Sequence, residues 1–186
     1  MDALDLLLNR ASALKLEAPG PSEQDLDQIF ASAVRAPDHG RLRPWRFVVI
    51  STDQRGAFGE VMAKSMAQRD PKANGEALQR ERDKPMRAPV IVAVAAHVQK
   101  GHRIPEFEQI ASATAATQNI ILGAAALGYG AMWKTGDPAY DPTVKVALGL
   151  DAADEIVAFL YLGTAVGPPS PAARPSARDY VTVWSG

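Results

Sequence analysis

No cysteine occurs anywhere in the 186-residue sequence. Disulfide frameworks, thiolate nucleophiles, iron–sulfur ligands and thiolate zinc sites are therefore excluded, and the cytoplasm is the simplest expected setting. Charge of one sign is not in excess either. Twenty Lys and Arg stand against 21 Asp and Glu, a formal net charge of -1, so no global electrostatic attraction to DNA or RNA is expected. Long apolar runs are also missing. The nearest, from Ile110 to Met132, is interrupted by Ser112, Thr114, Thr117, Gln118 and Asn119. It falls short of the roughly 20 apolar residues a membrane span needs and reads as a buried helix. Asp2 and Asp5 sit in the N-terminal segment, which has no cleavage-like site after an apolar core, so no signal peptide is expected. There is no G-x-S-x-G elbow and no G-x-x-x-x-G-K-[ST] phosphate loop. The cluster Gly123…Gly128-Tyr129-Gly130 has the wrong spacing for a dinucleotide fingerprint, and it follows a helix where that fingerprint follows a strand.

What is present is a globular composition, 47% hydrophobic and 22% charged. Its length suits a single domain over 1–186, with 165–186 as an extended C-terminal arm. Leu4, Leu7 and Leu8 mark a short amphipathic helix. Ser22 and Asp25 form a capping-box pattern ahead of the stripe Leu26, Ile29, Phe30, Ala33 and Val34. Trp45 to Ile50 reads as a strand, and about 53–84 as a helix with a mobile connection. Pro89 to Val98 is a strand buried on both faces. Glu106 to Leu127 is a long helix that Gly128 ends, and Tyr129 to Lys134 is a second buried strand. Asp141-Pro142 starts a short helix, and Ile156 to Leu162 is another interior strand. The final residues Tyr180 to Trp184 are β-prone enough to predict pairing with a strand, in this chain or another. This order fits an α/β or α+β domain of three layers.

Three segments carry potential chemistry. Arg35-Ala36-Pro37-Asp38-His39-Gly40-Arg41-Leu42-Arg43-Pro44-Trp45-Arg46 crowds four arginines, a histidine and an aspartate between a helix and a strand. Guanidinium groups suit an anionic ligand, although the loop alone does not separate that role from a solvated basic surface. Arg10-Ala11-Ser12 places a guanidinium and a hydroxyl within reach of one phosphate. Ala131-Met132-Trp133-Lys134-Thr135-Gly136 runs from strand to turn and could take a flat aromatic ring, although a core strand with a core Trp is the plainer reading. His97 and His102, five apart, are a weak metal pair, so no metal site is expected.

In this order the segments resemble the FMN-dependent NAD(P)H nitroreductase family, in its small YdjA-like branch, over essentially the whole chain. Arg10-Ala11-Ser12 is similar to the family's "R-x-S" phosphate motif. Arg35-Ala36-Pro37…Pro44-Trp45-Arg46-Phe47 is similar to "R-A-P-S-x-x-N-x-Q-P-W-x-F". Gln118 to Gly128 is similar to "Q-N-[LI]-x-L-A-A-x-x-x-G", and Leu160-Tyr161-Leu162-Gly163 to the strand before the C-terminal arm. The resemblance implies an α+β, nitroreductase-like three-layer sandwich with a central, mostly antiparallel sheet flanked by helices. It also implies a homodimer that exchanges C-terminal arms and holds FMN at the subunit interface.

Carried onto this chain, Arg10 and Ser12 hold the FMN phosphate, and Ala11 contributes main chain. Arg35 and His39 approach from the other subunit. Ala131, Met132 and Trp133 line the ring, and an amide near Thr135-Gly136 reaches flavin N5. NADH or NADPH is the implied donor, and nitroaromatics or quinones the implied acceptors, in a ping-pong cycle with no catalytic side chain named. Ala11 departs from the second Arg or His of the motif, and Arg41 and Arg43 from its Asn and Gln. Those departures keep open a degenerate, non-catalytic flavin-binding dimer. A related flavoenzyme such as a dehalogenase is the other alternative.

Overall fold

The computed structural model describes residues 2–167 and 175–186. Its centre is β3, Val90–Ala96, buried along its whole length. The strand alternation of side chains divides it between two cores. Val90, Val92 and Val94 face one of them, and Ile91, Ala93 and Ala95 face the other. A strand apolar at every position needs cover on both faces, and the rest of the chain supplies it.

β2 (Trp45–Ile50) and β5 (Glu155–Ala165) flank β3, and both pairings are antiparallel. β4 (Gly130–Lys134) also runs antiparallel to β5, and a two-residue β1 (Leu16–Glu17) pairs with β5 at Thr164 and Ala165. Helices α2 (Glu23–Ala33) and α5 (Glu106–Ala126) cover the Val92 face through Ile29, Ala33, Ala116, Ile120 and Ala124. The Ile91 face takes Phe58 and Met62 from α3 (Arg55–Arg69) and Val144 from α6 (Pro142–Ala147). The expected α+β sandwich of three layers, with its antiparallel sheet, is therefore present.

Local signals set most boundaries. Ser22 and Asp25 form the capping box, each side chain bonding the other's backbone N–H at 3.2 Å. Asp serves where Glu is usual. α5 ends in a Schellman motif: Tyr129 N–H donates to Ala124 O, Gly128 N–H to Ala125 O, and Gly128 takes φ +87°. At Gly123 the two helices of one layer nearly touch, because a Cβ there would lie 2.8 Å from Ser32 Oγ. Asn119 ties the same crossing, donating from Nδ2 to Ser32 O. Asp141 caps α6 by accepting from Thr143 N–H at 2.8 Å.

One expectation changes, one is narrowed, and one element is new. The mobile connection within 53–84 is instead a second helix, α4 (Gly75–Asp83). It is too polar to show an apolar stripe, but Gly59 of α3 lets it pack closely: a Cβ there would lie 2.6 Å from Arg82 O. Within this chain Tyr180 to Trp184 pairs with no strand among the described residues, which leaves a strand of another chain as the expected partner. Ala177–Tyr180 is a short 3-10 turn, and Tyr180, Val181, Val183 and Trp184 stay exposed without a ladder partner among the described residues. Part of the expected arm, 168–174, lies outside the described residues. Finally, β1 was not foreseen, because two residues are too few for a pattern. Among the described residues no helix is long and apolar enough to cross a membrane.

Candidate functional site

α1 (Ala3–Asn9) starts at Asp2, whose carboxylate accepts from Leu4 N–H, and ends at Arg10. The chain then passes Ala11 and Ser12 and is fastened by Ala13 N–H to Ala131 O at 3.0 Å. That bond joins the loop to the edge of β4 that faces away from β5. A pocket of about 330 Å³ opens here, with Arg10, Ala11 and Ser12 on one wall. Its other walls are Gly128, Tyr129 and Gly130, where α5 turns into β4, and Ala165–Gly167 at the end of β5. Arg10 and Ser12 thus line one cavity.

β4 carries the second predicted group. Antiparallel strands alternate the direction of their amides. Ala131 O points to the open edge, so the main-chain groups of Trp133 point there as well. The side chains do not share one surface. Ala131 and Trp133 pack into the core beneath α2 and α5, whereas Met132 packs into the opposite core. What β4 can offer a flat ligand is therefore its edge. Trp133 Nε1 donates to Val157 O at 3.1 Å. The β3–β5 register steps from Val94↔Ala158 to Ala95↔Ile156, so Val157 is the residue the ladder skips. Its carbonyl finds the indole instead. Thr135 and Gly136 follow in an exposed turn, with Gly136 at φ +79°.

The arginine-rich loop builds a separate pocket of about 360 Å³, lined by Val34, Arg35, Ala36, Asp38, Arg41, Arg43 and Trp45. α5 holds this loop from below. Ser112 Oγ donates to Pro37 O at 2.8 Å, and His39 Nδ1 lies 2.6 Å from Glu108 Oε2. His39 sits beside the pocket and is exposed, so the structure does not place it in one cavity with Arg35. Arg46, grouped with these arginines in the sequence, instead donates to Arg43 O and Trp45 O. The two pockets share no lining residue, so one chain does not unite Arg10 and Ser12 with Arg35 and His39.

Ionisable groups at the first pocket are tuned by hydrogen bonds. Tyr129 OH donates to Asp25 Oδ2 at 2.7 Å, and Ser22 Oγ donates to the same oxygen at 2.7 Å. Chiefly through Ser22 and then Tyr129, the Asp25 carboxyl is held below its ordinary value. The bond to Asp25 in turn raises Tyr129. Tyr161, deep in the sheet, is pushed up to about 12 by burial. His97 Nδ1 lies 2.8 Å from Asp154 Oδ1 and 3.7 Å from Asp151 Oδ2. His102 takes another path, accepting from Ile104 N–H. Asp154 Oδ2 also accepts from Asp151 N–H, so this cluster closes the turn that leads from α6 into β5 and ties it to His97 just past β3. Sequence reasoning missed the Tyr129, Gly130 and Ala165–Gly167 walls. The glycine pair around Tyr129 was their one local signal.

An antiparallel sheet between two helical layers, with an Arg-x-Ser pocket at the open edge of its last-but-one strand, defines the class of protein. The model of the Nitroreductase family matches residues 7–164, and the chain belongs to that family. It is 38% identical over 164 residues to the Escherichia coli K12 protein named "Putative NAD(P)H nitroreductase YdjA", covering 88% of each chain. Among solved structures it is similar to a nitroreductase-like family protein from Bacillus cereus, with a TM-score of 0.85 and 22% identity, covering 100% of this chain and 97% of that one. The FMN- and NADPH-dependent nitroreductase NfnB of a Sphingopyxis strain superposes with a TM-score of 0.76 at 21% identity, covering all of both chains.

Proposed function

We propose that this chain is an FMN-dependent oxidoreductase that takes electrons from NADH or NADPH and reduces nitroaromatics, quinones or similar electron-poor acceptors, as a cytoplasmic homodimer of single-domain subunits. The observation that carries the reading is the pocket in which Arg10 and Ser12 meet beside the open edge of β4. Its donor set fits FMN. A guanidinium and a hydroxyl suit a phosphate, and beyond the Ala13–Ala131 bond the edge of β4 has no ladder partner among the described residues, so it offers main-chain groups to the polar rim of a planar ring. Gly130 fits as well: a Cβ there would fall within 2.9 Å of Ala13 and Ala165, so the pocket wall needs a residue without one.

In this reading Arg10 and Ser12 hold the phosphate, and Ala11 contributes main chain. The edge of β4 from Ala131 through Met132 and Trp133 orients the ring, and Thr135-Gly136 carries the amide nearest the reacting end. Bound FMN supplies reversible hydride chemistry at N5 in a ping-pong cycle, so the protein needs no nucleophile or base of its own. Arg35 and His39 complete the site from a second copy. Two observations support that assembly. The two pockets are separate within one chain, and α1 presents Leu4, Leu7 and Leu8 to solvent while the tail presents Val181, Val183 and Trp184. So much exposed apolar surface calls for a covering partner, and exchanged C-terminal arms would provide it.

The test is spectroscopic. Purified protein should be yellow, bleach on anaerobic NADPH or NADH, and recover its colour with a nitroaromatic or a quinone. Arg10→Ala should weaken FMN binding. Protein that takes up no flavin after reconstitution would refute the assignment.

A further inference from the structure

Two contacts lay the loop that follows α2 along the first turns of α5. Glu108 and Ser112 are four residues apart, so they stand on one side of that helix, one above the other. The loop meets them in reverse order. Ser112 Oγ donates to Pro37 O at 2.8 Å, and His39 Nδ1 lies 2.6 Å from Glu108 Oε2.

The residues on either side of His39 are fixed without its help. Asp38 Oδ2 accepts from Arg43 N–H at 2.7 Å, which closes the loop on itself. Gly40 takes φ 72° and lies so close to Ile104 that a Cβ there would run into that side chain. The His39 side chain is 67% exposed and that of Glu108 42%, and an ion pair in such a position adds little stability. The pair is therefore not what holds the loop. Its effect is on the imidazole itself.

A carboxylate has no proton to give, so the proton between the two groups sits on Nδ1. In the neutral ring that leaves Nε2 bare, an acceptor and the one ring nitrogen open to a ligand. Asp38 is already turned to Arg43 N–H, and among the described residues Glu108 is the only acid paired with this ring. We infer that Glu108 is a positioning residue: it holds His39 in the Nδ1–H tautomer, so that Nε2 accepts a hydrogen bond from an N–H or O–H group of the flavin in the other subunit. This role rests on the reading in which His39 completes that flavin site. The donor has two sources, the imide N–H of the ring and the hydroxyls of the ribityl chain.

The experiment compares wild type with E108Q and with E106Q, each loaded with FMN. Glu106 is the other acid in the first turn of α5 and makes no ion pair among the described residues, so E106Q removes the same charge without touching His39. Melting temperatures check that all three are folded. The protein has three histidines, and labelling them with nitrogen-15 lets the ring signals of His39 be assigned by their loss in His39→Gln. At the alkaline end of a pH series, where the ring is neutral, wild type should show Nδ1–H with a bare Nε2. The amide of E108Q serves either tautomer, so that variant should show a mixture. Fluorescence titration should find FMN bound about five- to tenfold more weakly in E108Q, as for one lost hydrogen bond, and within about twofold of wild type in E106Q, where only a surface charge is gone. FMN methylated at the imide nitrogen separates the sources. The imide is the donor if E108Q and wild type bind this analogue alike, and a ribityl hydroxyl is the donor if the difference between them persists.

Wild-type His39 carrying its proton on Nε2 overturns the inference. So does an E108Q protein that keeps the wild-type tautomer, or one whose tautomer changes while its FMN affinity matches that of E106Q. Failure of the flavin reading looks different. Wild type would then take up no FMN, which removes the task assigned to Nε2, while the nitrogen signals would still show whether Glu108 fixes the ring.

Discussion

Gly130 offers the sharpest test of how the first pocket is built. A Cβ added there would meet Leu16 Cδ2 at 2.8 Å and the Cβ atoms of Ala13 and Ala165 at 2.9 Å. Carbon contacts are comfortable from about 3.5 Å, so each neighbour must retreat by about 0.6 Å or more. Leu16 can swing its side chain, but the Cβ atoms of Ala13 and Ala165 move only with their backbones. Ala13 is also bonded to Ala131 O. Gly130→Ala should therefore lose about 1–3 kcal/mol, the usual cost of overpacking, and should push the Arg10–Ala13 loop off the β4 edge. Gly128→Ala is the control on the same pocket wall. Its added Cβ meets nothing within 4 Å, so only its φ of +87° is strained, at about 1–2 kcal/mol. Urea unfolding of the two variants should give similar stability losses, while fluorescence titration should show FMN affinity falling mainly in Gly130→Ala. A Gly130→Ala protein as stable as wild type with unchanged FMN affinity would refute the steric account. So would a larger loss of FMN affinity in Gly128→Ala.

Three further outcomes are expected. Asp25 titrates below its ordinary value in the folded protein, so its stabilisation is complete above the unfolded carboxyl pKa and is lost as pH falls through the folded one. Tyr129 is raised, so its contribution is lost as pH climbs above about 10, the unfolded phenol value. Asp25→Asn should flatten the acid side of a melting-temperature profile, and Tyr129→Phe the alkaline side. Trp133→Phe keeps the packing but orphans Val157 O, which should cost about 1–3 kcal/mol in denaturant unfolding. A neutral result would mean the skipped carbonyl finds another partner. Leu160 is wholly buried between the central strands and α5, and Leu160→Ala should cost about 2–5 kcal/mol through lost burial and a residual cavity.

Much of this molecule was legible in local sequence. The capping box at Ser22 and Asp25, the glycine stop at Gly128 and the Asp141-Pro142 start are determined by contacts within one turn, and each lies where its residues predict. So is the burial of β3, since Val90 to Ala96 has no polar position to turn toward water. Motif order was legible as well, and it led to the family. Tertiary structure alone decided the rest. β1 exists only because Leu16 and Glu17 meet the end of β5. α4 packs because Gly59 lets its backbone approach, a fact written on another helix. Strand alternation sends Met132 to the opposite core from Ala131 and Trp133, and a contiguous motif does not reveal that its side chains part ways. The Arg10 pocket needs Gly130 and Ala165 brought from far along the chain, and the loop from Arg35 to Trp45 takes its course from left-handed turns at Gly40, Arg41 and Arg43. Local signals decide where elements begin and end because their partners are neighbours in sequence. Sites are made by residues whose neighbours are set by packing.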